Sequence, residues 1–467
     1  MKTFKIIFLF TVLSFTAFSC SDAYDVDAKD ELPDPVAIKT IEDLEKAMIG
    51  VYASIGGSGV IEWTSYFTDE LRMPSSNRGS GVQVHTWSIN NGSNEPEGLY
   101  FSFYSTINRA NTLLSKLDGV PATNTEEENI KKRIEAECRA IRAHSHFELL
   151  RLFATSYTDN SALGIAIVDR VIVFEKLPRN TVGEVVEFIN TELSEAKAIL
   201  DEVGTPNNDV NKIRVPAIQA MRARVALYTK NYDDAITFAT DVISAHPLSS
   251  NATQYGDIWG DGFSPEVVFK LTRVPTDARI GSIYTDLNGD VLWNVSYDLY
   301  DQFTAGDIRL SSLYAPGSTL DNIMVGKYIG QAGAINRADI KLFRSAEMYL
   351  IRAEAHALKS TPDLTAATND LNALRTNRNV ATAPLFNNSQ EAINSILLER
   401  RKELCFEGHR YFDLKRHNLP IERIAEDTEL QPEYTNLPAG DYRFTLPIPF
   451  SAIFANSSLQ GQQNPGY

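Results

Sequence analysis

The chain has 467 residues, of which 43% are hydrophobic and 22% are charged, and its formal net charge is −16. These proportions are typical of a globular protein and argue against intrinsic disorder. The negative charge and the lack of a long basic run argue against a nucleic-acid partner, because phosphate binding requires clustered cations.

The first 19 residues are predicted to be a secretory signal, with Lys2 and Lys5 ahead of an apolar stretch at 6–18. Ser19 followed by Cys20 at the cleavage point resembles a bacterial lipoprotein signal. We therefore expect cleavage before Cys20, acylation of its thiol and attachment to a membrane through lipid alone. An ordinary signal peptide with an incidental cysteine is the alternative. The acidic, proline-bearing stretch at 20–35 is expected to be a tether.

Helical periodicity dominates much of the remaining chain. Apolar residues recur at helical spacing over 40–55, 99–118, 129–154 and 181–203, and a helix–turn–helix pair is predicted at 215–247. We expect the helices at 129–154 and 181–203 to form another pair.

The second half of the pair at 215–247 resembles the second helix of a tetratricopeptide repeat, and a similar pair is predicted at 344–378. A long last helix is predicted from about Ser389 to Lys415. Cys138 and Cys405 fall inside predicted helices and are interpreted as small buried hydrophobic residues. A bridge between these two cysteines is possible but not indicated.

Two irregular regions separate the helices, at 56–97 and 250–340. Both are rich in glycine, asparagine and aromatic residues and lack sustained periodicity. Loops of this length in a compact protein are usually functional or disordered, and their aromatic content argues against disorder.

Cys405, His409 and Asp413 are spaced so that they would share one face of a helix, which suggests a nucleophilic triad. That interpretation is rejected, because backbone N–H groups in mid-helix are already bonded and cannot stabilise an oxyanion. A packed helix face is the preferred interpretation.

No other catalytic, cofactor or metal motif is found, and neither a cofactor nor a metal is predicted. The segment "DLNGD" at 286–290 has oxygen ligands like a calcium loop but lacks the later glutamate, so a turn is the preferred interpretation. Carboxylate pairs for glycoside hydrolysis remain an open alternative, since sequence does not give their separation.

Several segments resemble the SusD/RagB family of Bacteroidetes outer-membrane lipoproteins. The most specific is "ERRKELCFEGHRYFDLKR" at 399–416, and others are "YSTINRANTLL", "ECRAIRAHSHFELLRLF" and the final "QNPGY". In the stretch at 399–416, Arg400, Arg401, Glu403 and Glu407 are expected to form interlocked ion pairs. Leu404, Tyr411 and Phe412 of the same stretch, and Leu397 just before it, are expected to face the core.

The resemblance implies a mainly α fold, a scaffold of tetratricopeptide-like helix pairs whose long irregular loops form a ligand face. It implies a helical region at 36–250, a loop-rich lobe at 251–340 and a C-terminal helical region at 341–467. It also implies an outer-membrane lipoprotein that faces the cell exterior, is not an enzyme, and captures oligosaccharide or another nutrient. The implied partner is a SusC-like TonB-dependent transporter. Acidic residues directly after Cys20 resemble a surface-export signal.

Sugars present apolar C–H faces and dense hydroxyl rims, so their sites combine flat aromatic rings with planar polar groups. The two irregular regions contain both, and the loop at 73–87 is favoured because the resemblance implies a binding loop there. The candidate ligand-binding residues are Trp63, Tyr66, Asn77, Arg78, Trp87, Trp259, Tyr284, Trp293 and Tyr297.

The sequence thus predicts a surface glycan-binding lipoprotein that passes its ligand to a transporter. Two alternatives stay open: a glycoside hydrolase or lyase on a helical scaffold, and a structural subunit of the transporter that binds no ligand.

Overall fold

The structure is a computed structural model that describes residues 38–467 apart from 314, 316 and 332. The predicted signal, the lipidation site Cys20 and the whole predicted tether at 20–35 lie outside the described residues. No helix of the described part combines the length and apolar character needed to cross a bilayer.

The described chain is mainly α-helical, as predicted. Its α-helices are α1 (Ile41–Ala53), α2 (Ser58–Phe67), α3 (Val82–His85), α4 (Asn94–Lys116), α5 (Thr125–Phe153), α6 (Val182–Val203), α7 (Val215–Tyr228), α8 (Tyr232–Ala245), α9 (Ala252–Trp259), α10 (Tyr297–Asp301), α11 (Leu310–Leu313), α12 (Ser345–Leu358), α13 (Leu364–Asn377), α14 (Ser389–Glu403), α15 (Arg410–His417) and α16 (Phe450–Ala455).

The strands are short and form two-stranded antiparallel sheets. The strands are β1 (Leu71–Arg72), β2 (Val267–Leu271), β3 (Asn294–Val295), β4 (Gly330–Gln331), β5 (Ala334–Ile335), β6 (Ile340–Arg344), β7 (Ile421–Glu422) and β8 (Asn436–Leu437), and they pair as β1–β3, β2–β6, β4–β5 and β7–β8.

The predicted helix pairs are confirmed. Helix α5 packs on α6, α7 on α8 and α12 on α13, while α8 also packs on α12 and so joins two pairs into a continuous scaffold. Ala223 of α7, Ala235 of α8 and Ala353 of α12 are fully buried, and their small side chains allow close approach of the helix axes.

Local signals explain where α6 begins and ends. Thr181 accepts a hydrogen bond from the Glu184 N–H, and the Glu184 side chain accepts from the Thr181 N–H, which satisfies two free donors of the first turn. Gly204 ends the helix in the left-handed conformation, with φ of 66°. Pro216 stands in the first turn of α7, where its missing N–H costs nothing.

The prediction of one long helix from about Ser389 to Lys415 is wrong. Helix α14 ends at Glu403 and α15 begins at Arg410, because Phe406 (φ 62°) and Gly408 (φ 86°) adopt left-handed conformations that a helix cannot contain. Cys405 therefore lies in a turn, and the helical spacing that suggested a triad does not exist.

The ion pairs of this stretch also differ from the prediction. The four charged residues are buried and paired, but with residues from other elements rather than with one another. Arg400 pairs with Asp413, Arg401 with Asp69 and Asp298, Glu403 with Arg309, Arg344 and Arg378, and Glu407 with Lys327 and Arg344. Charges this deeply buried require such partners. Leu397, Leu404, Tyr411 and Phe412 are buried in the core, as predicted.

The description of 56–97 as irregular is wrong in part. Residues 58–67 form helix α2, so that Trp63 and Tyr66 stand on a helix and not on a loop. Gly56, Gly57 and Gly59 at its start obscured the periodicity, because glycines at such positions are typical of loops.

Candidate ligand-binding surface

Three chain segments that are distant in sequence meet beside α2. The β1–β3 pairing aligns Leu71 with Val295 and Arg72 with Asn294, and an isolated bridge joins Asn294 to Met324. We call residues 72–81, 284–297 and 319–324 the three-loop surface. Its segments are held by the backbone of two neighbouring strands, which fixes their relative position.

Asn77 organises the first of these loops from below. Its side chain is buried, and its amide donates to the backbone oxygens of Leu292 at 2.8 Å and Ser80 at 3.1 Å. Its carbonyl oxygen accepts from the Gly79 N–H at 3.0 Å. With every polar atom of its amide engaged, Asn77 positions the loop rather than offering groups to a ligand.

Gly81 allows this loop to lie directly on the ring of Tyr66. Its φ is 66°, and a Cβ atom at this position would lie 2.4 Å from the Tyr66 ring. Only glycine fits such a contact in such a conformation.

Arg78 projects from the same loop and has a side chain that is 58% exposed. Its guanidinium donates to Asp286 at 2.9 Å and also to Asp290. The hydrogen bond to Asp290 raises the pKa of Arg78, which therefore stays charged. The planar guanidinium between two carboxylates places hydrogen-bond donors and acceptors side by side, which suits neighbouring hydroxyl groups. We call Arg78, Asp286 and Asp290 the fork.

The segment 286–290 forms the predicted turn. The Asp286 carboxylate accepts from the N–H groups of Asn288 at 2.8 Å and Asp290 at 2.9 Å, and Gly289 has a φ of 89°. The backbone N–H of Asp290, assisted by Arg78, lowers the pKa of Asp286. The carboxylates of the turn thus belong to the fork around Arg78.

Tyr297 supplies a half-buried aromatic ring at the edge of this surface. The Arg72 guanidinium lies 4.1 Å from the centre of the ring, a cation–π contact, and also donates to the Asp321 backbone oxygen. The Tyr297 N–H donates to Asp427 at 2.7 Å, which anchors the start of α10.

The other predicted aromatic residues are buried. Their rings form the floor of the surface or belong to the neighbouring core, as seen for Trp63, Tyr66, Trp87, Trp259, Tyr284 and Trp293, none of which is more than 6% exposed. Tyr66 packs on Trp293 with ring centres 5.1 Å apart. These rings expose almost no surface to solvent, so a direct ligand contact by these six residues stays a prediction that this conformation does not favour.

The structure brings some of the predicted residues together and separates others. Tyr66, Asn77, Arg78, Trp293 and Tyr297 meet at or under the three-loop surface. Trp87 instead packs near Tyr434, and Trp259 packs near Tyr328 beside the buried ion pairs.

A cavity of about 310 Å³ lies next to the three-loop surface, between α2 and α4. Trp63, Tyr66 and Phe103 contribute its aromatic wall, and Glu62 and Glu95 contribute its charge. No basic residue is found in its wall within the described chain. The cavity is therefore acidic and aromatic.

Comparisons with known proteins agree with this architecture. A family model described as "SusD family" matches residues 321–467, and a second one described as "Starch-binding associating with outer membrane" matches residues 25–227. The chain belongs to the SusD/RagB family.

Relatives of this SusD/RagB chain are distant but extend over its length. The SusD-like protein P38 of Formosa agariphila is 24% identical over all of both chains. The structure of a SusD superfamily protein from Bacteroides thetaiotaomicron is 24% identical, with a TM-score of 0.77 over 91% of this chain and 100% of that chain. A laminarin binding SusD-like protein is 20% identical, with a TM-score of 0.70 over 92% of this chain and 100% of that one. At these identities the likeness shows the fold.

Sequence reasoning missed Arg72, Asp286 and Asp290 as parts of the surface of this SusD/RagB protein. The turn at 286–290 was visible in the sequence, but its pairing with Arg78 joins residues about two hundred positions apart and has no local signal. Arg72 stands next to Met73 and Pro74 at the end of a two-residue strand, where nothing marks it in the sequence.

Proposed function

We propose that this SusD/RagB protein binds oligosaccharide at the cell surface and passes it, unaltered, to a SusC-like TonB-dependent transporter in the outer membrane. The observation that carries the proposal is the exposed Arg78, paired with Asp286 and Asp290, on a surface whose edge also carries the half-buried ring of Tyr297. Such a combination of planar polar groups with an aromatic ring is suited to a sugar. The names of the matching family model and of the laminarin binding relative point to the same class of ligand.

The geometry around Cys405 argues against a nucleophilic triad at this place. Burial raises the pKa of the Cys405 thiol to about 12, so that a thiolate is scarce at neutral pH. The Asp413 carboxylate accepts from Arg400 and Arg416, and His409 faces Glu347 at 3.9 Å instead of Asp413. The three side chains do not form a relay.

The lipid anchor is part of the proposal. Acylation of Cys20 would hold the folded body at the outer face of the outer membrane through the acidic tether. We expect a Cys20→Ser variant to lose incorporation of a labelled fatty acid and to leave the membrane fraction. A variant that still incorporates the label would contradict this assignment.

A glycan screen by calorimetry tests the ligand-binding proposal. The protein is produced from Ser21 onward, and the best oligosaccharide is then titrated into an Arg78→Ala variant. Loss of hydrogen bonds to a charged group should weaken binding by about tenfold or more. Release of new reducing ends from the same glycan would favour the hydrolase alternative.

Arg170→Ala is a matched control. Its side chain is 54% exposed and pairs with Asp169 and Glu175, as Arg78 pairs with Asp286 and Asp290, but it lies outside the three-loop surface. We expect unchanged affinity in this variant. If the Arg78→Ala and Arg170→Ala variants bind the oligosaccharide with equal affinity, the three-loop surface is not the binding site.

The transfer step is tested in the cell. We expect the tagged protein to co-purify with an outer-membrane barrel, and uptake of the glycan to fall when Arg78 is replaced while the barrel is still retained. If the protein co-purifies with the barrel but glycan uptake does not change when Arg78 is replaced, and the complex does not respond to added glycan, the alternative of a structural subunit is favoured.

A further inference from the structure

A second cavity, of about 440 Å³, lies where the carboxyl ends of α5 and α15 meet the turn between α7 and α8. Its wall contains Lys230, Lys415, Arg416 and His417, and Glu354 is its acidic residue among the described part of the chain. We call it the basic cavity. This concentration of cations stands out on a protein whose net charge is −16.

Glu354 is fully engaged by its neighbours. Both of its oxygens accept from the Arg416 guanidinium, and one also pairs with His417 Nε2 at 2.9 Å. Although burial acts to raise the pKa of Glu354, Arg416 holds it far below its ordinary value. The carboxylate therefore neutralises Arg416 and is not available to Lys415.

Lys415 has no carboxylate partner in the described chain. Its ammonium group donates to the backbone oxygens of Ala154 at 2.8 Å and Arg151 at 3.0 Å, and it lies 5.1 Å from the Tyr157 ring centre. Backbone oxygens carry only partial charges, so the positive charge of Lys415 is left uncompensated. An ammonium group has three donors, and the two backbone oxygens accept from two of them.

Further donors surround the same space. The hydroxyl-bearing side chains of Thr155, Thr158 and Tyr232 line the cavity, and the exposed Lys230 stands at its rim on the α7–α8 turn. The volume lies within the range of about 300–1,000 Å³ that is usual for small-molecule sites.

We propose that the basic cavity binds a small organic oxyanion, with a carboxylate, sulfate or phosphate group paired to Lys415 and Lys230. The site shares no residue with the three-loop surface and does not depend on the proposed glycan function. The anion would supply the counter-charge that Lys415 lacks, and the threonine and tyrosine hydroxyls would orient the rest of the ligand.

Calorimetry on the chain from Ser21 onward tests this proposal, with glucuronate, inorganic sulfate and inorganic phosphate as probes at constant ionic strength. Neutral glucose is the control ligand. We expect saturable binding of at least one of the three anions and none of glucose. Binding of the inorganic ions alone would identify a free-anion site, whereas tighter binding of glucuronate would identify an acidic sugar as the ligand class.

Charge variants locate the site. Lys415→Met should abolish anion binding, and Lys230→Glu should weaken it roughly tenfold while leaving the fold intact, because Lys230 is exposed. Lys39→Glu makes the same charge change at an exposed lysine outside the cavity and should have no effect. If Lys415→Met does not fold, the comparison of the Lys230 and Lys39 variants decides. Equal affinities of those two variants, or no binding of any anion, would overturn the proposal.

Discussion

One ionisable group without an ion-pair partner among the described residues lies beneath the three-loop surface, and another lines the basic cavity. Beneath the three-loop surface it is Glu70, which is fully buried and accepts one hydrogen bond, from the Phe406 N–H at 3.2 Å. In the basic cavity it is Lys415, whose donors meet only backbone oxygens among the described residues. In each case burial shifts the pKa towards the neutral form, to about 8 for Glu70 and about 7 for Lys415.

The difference between the two groups lies in access. Lys415 borders a cavity, so an anion from solution can reach it and restore its charge. Glu70 is enclosed, and the nearby Arg401 and Arg410 pair with the adjacent Asp69. An enclosed group can only hold or lose its proton. Its protonation therefore changes the free energy of unfolding and not the affinity for a ligand.

The largest effect is expected from Glu70→Gln. The ordinary pKa of this carboxyl is 4.5, and burial, assisted by Asp69, raises it to about 8 in the folded protein. Between these values the folded state holds a proton that the unfolded state releases, so the wild-type stability falls as pH rises. Glutamine resembles the protonated acid but does not titrate, so the variant lacks this contribution to the pH dependence of stability. Relative to wild type, the free energy of unfolding of the variant should rise by up to about 4 kcal/mol from about pH 5 to about pH 9.

Urea denaturation at several pH values measures this difference. Glu126→Gln removes an exposed carboxylate and serves as the control. If the free energies of unfolding of Glu70→Gln and wild type differed by the same amount at every pH in this range, Glu70 would not be the enclosed, neutral acid described above.

The scaffold could be predicted from sequence because its signals are local. Thr181, Glu184 and Gly204 mark the ends of α6, and apolar spacing marks its buried face. The break between α14 and α15 was missed although Gly408 stands at its centre, because the surrounding residues favour helix and the turn is stabilised by Glu70, which is distant in sequence.

The functional surfaces could be predicted only in part. The family resemblance favoured the loop at 73–87, and composition selected Arg78 within it, but burial of Trp63 or Trp293 depends on packing that composition does not show. The basic cavity gave no signal at all. Its wall comes from four separate segments, and the missing partner of Lys415 is a property of the folded chain.

A pair of glycine variants tests whether the three-loop surface depends on its buried floor. Gly79→Ala meets no atom within 4 Å and should cost about 1 kcal/mol of stability for its positive φ alone. Gly81→Ala has the same conformational cost and also meets the Tyr66 ring at 2.4 Å, so it should cost about 3 kcal/mol in total. Glycan affinity should fall in the second variant, while oxyanion binding in the basic cavity should not change. Equal stability of the two variants would show that the loop does not rest on Tyr66.

The smallest effect concerns the pH dependence of oxyanion binding. Burial, and then Arg151, lower the pKa of Lys415 to about 7, so raising the pH from about 6 to about 8 removes the charge that the anion pairs with. Glucuronate affinity should fall about tenfold over this range, since its carboxylate stays ionised throughout.

Other charged groups face Lys415 or the same cavity, and the control must separate them. Arg151 pairs with Glu148, Arg416 pairs with Glu354, and His417 shares that carboxylate, while the Tyr157 hydroxyl donates to the Arg151 backbone oxygen. Lys415→Arg keeps a permanent cation at the same position and should flatten the pH profile, whereas Lys230→Met should lower affinity but keep the shape of the profile. A profile that survives in Lys415→Arg would show that another group of the cavity wall carries the pH dependence, and Lys415 would then resemble Glu70, a group that ligands do not reach.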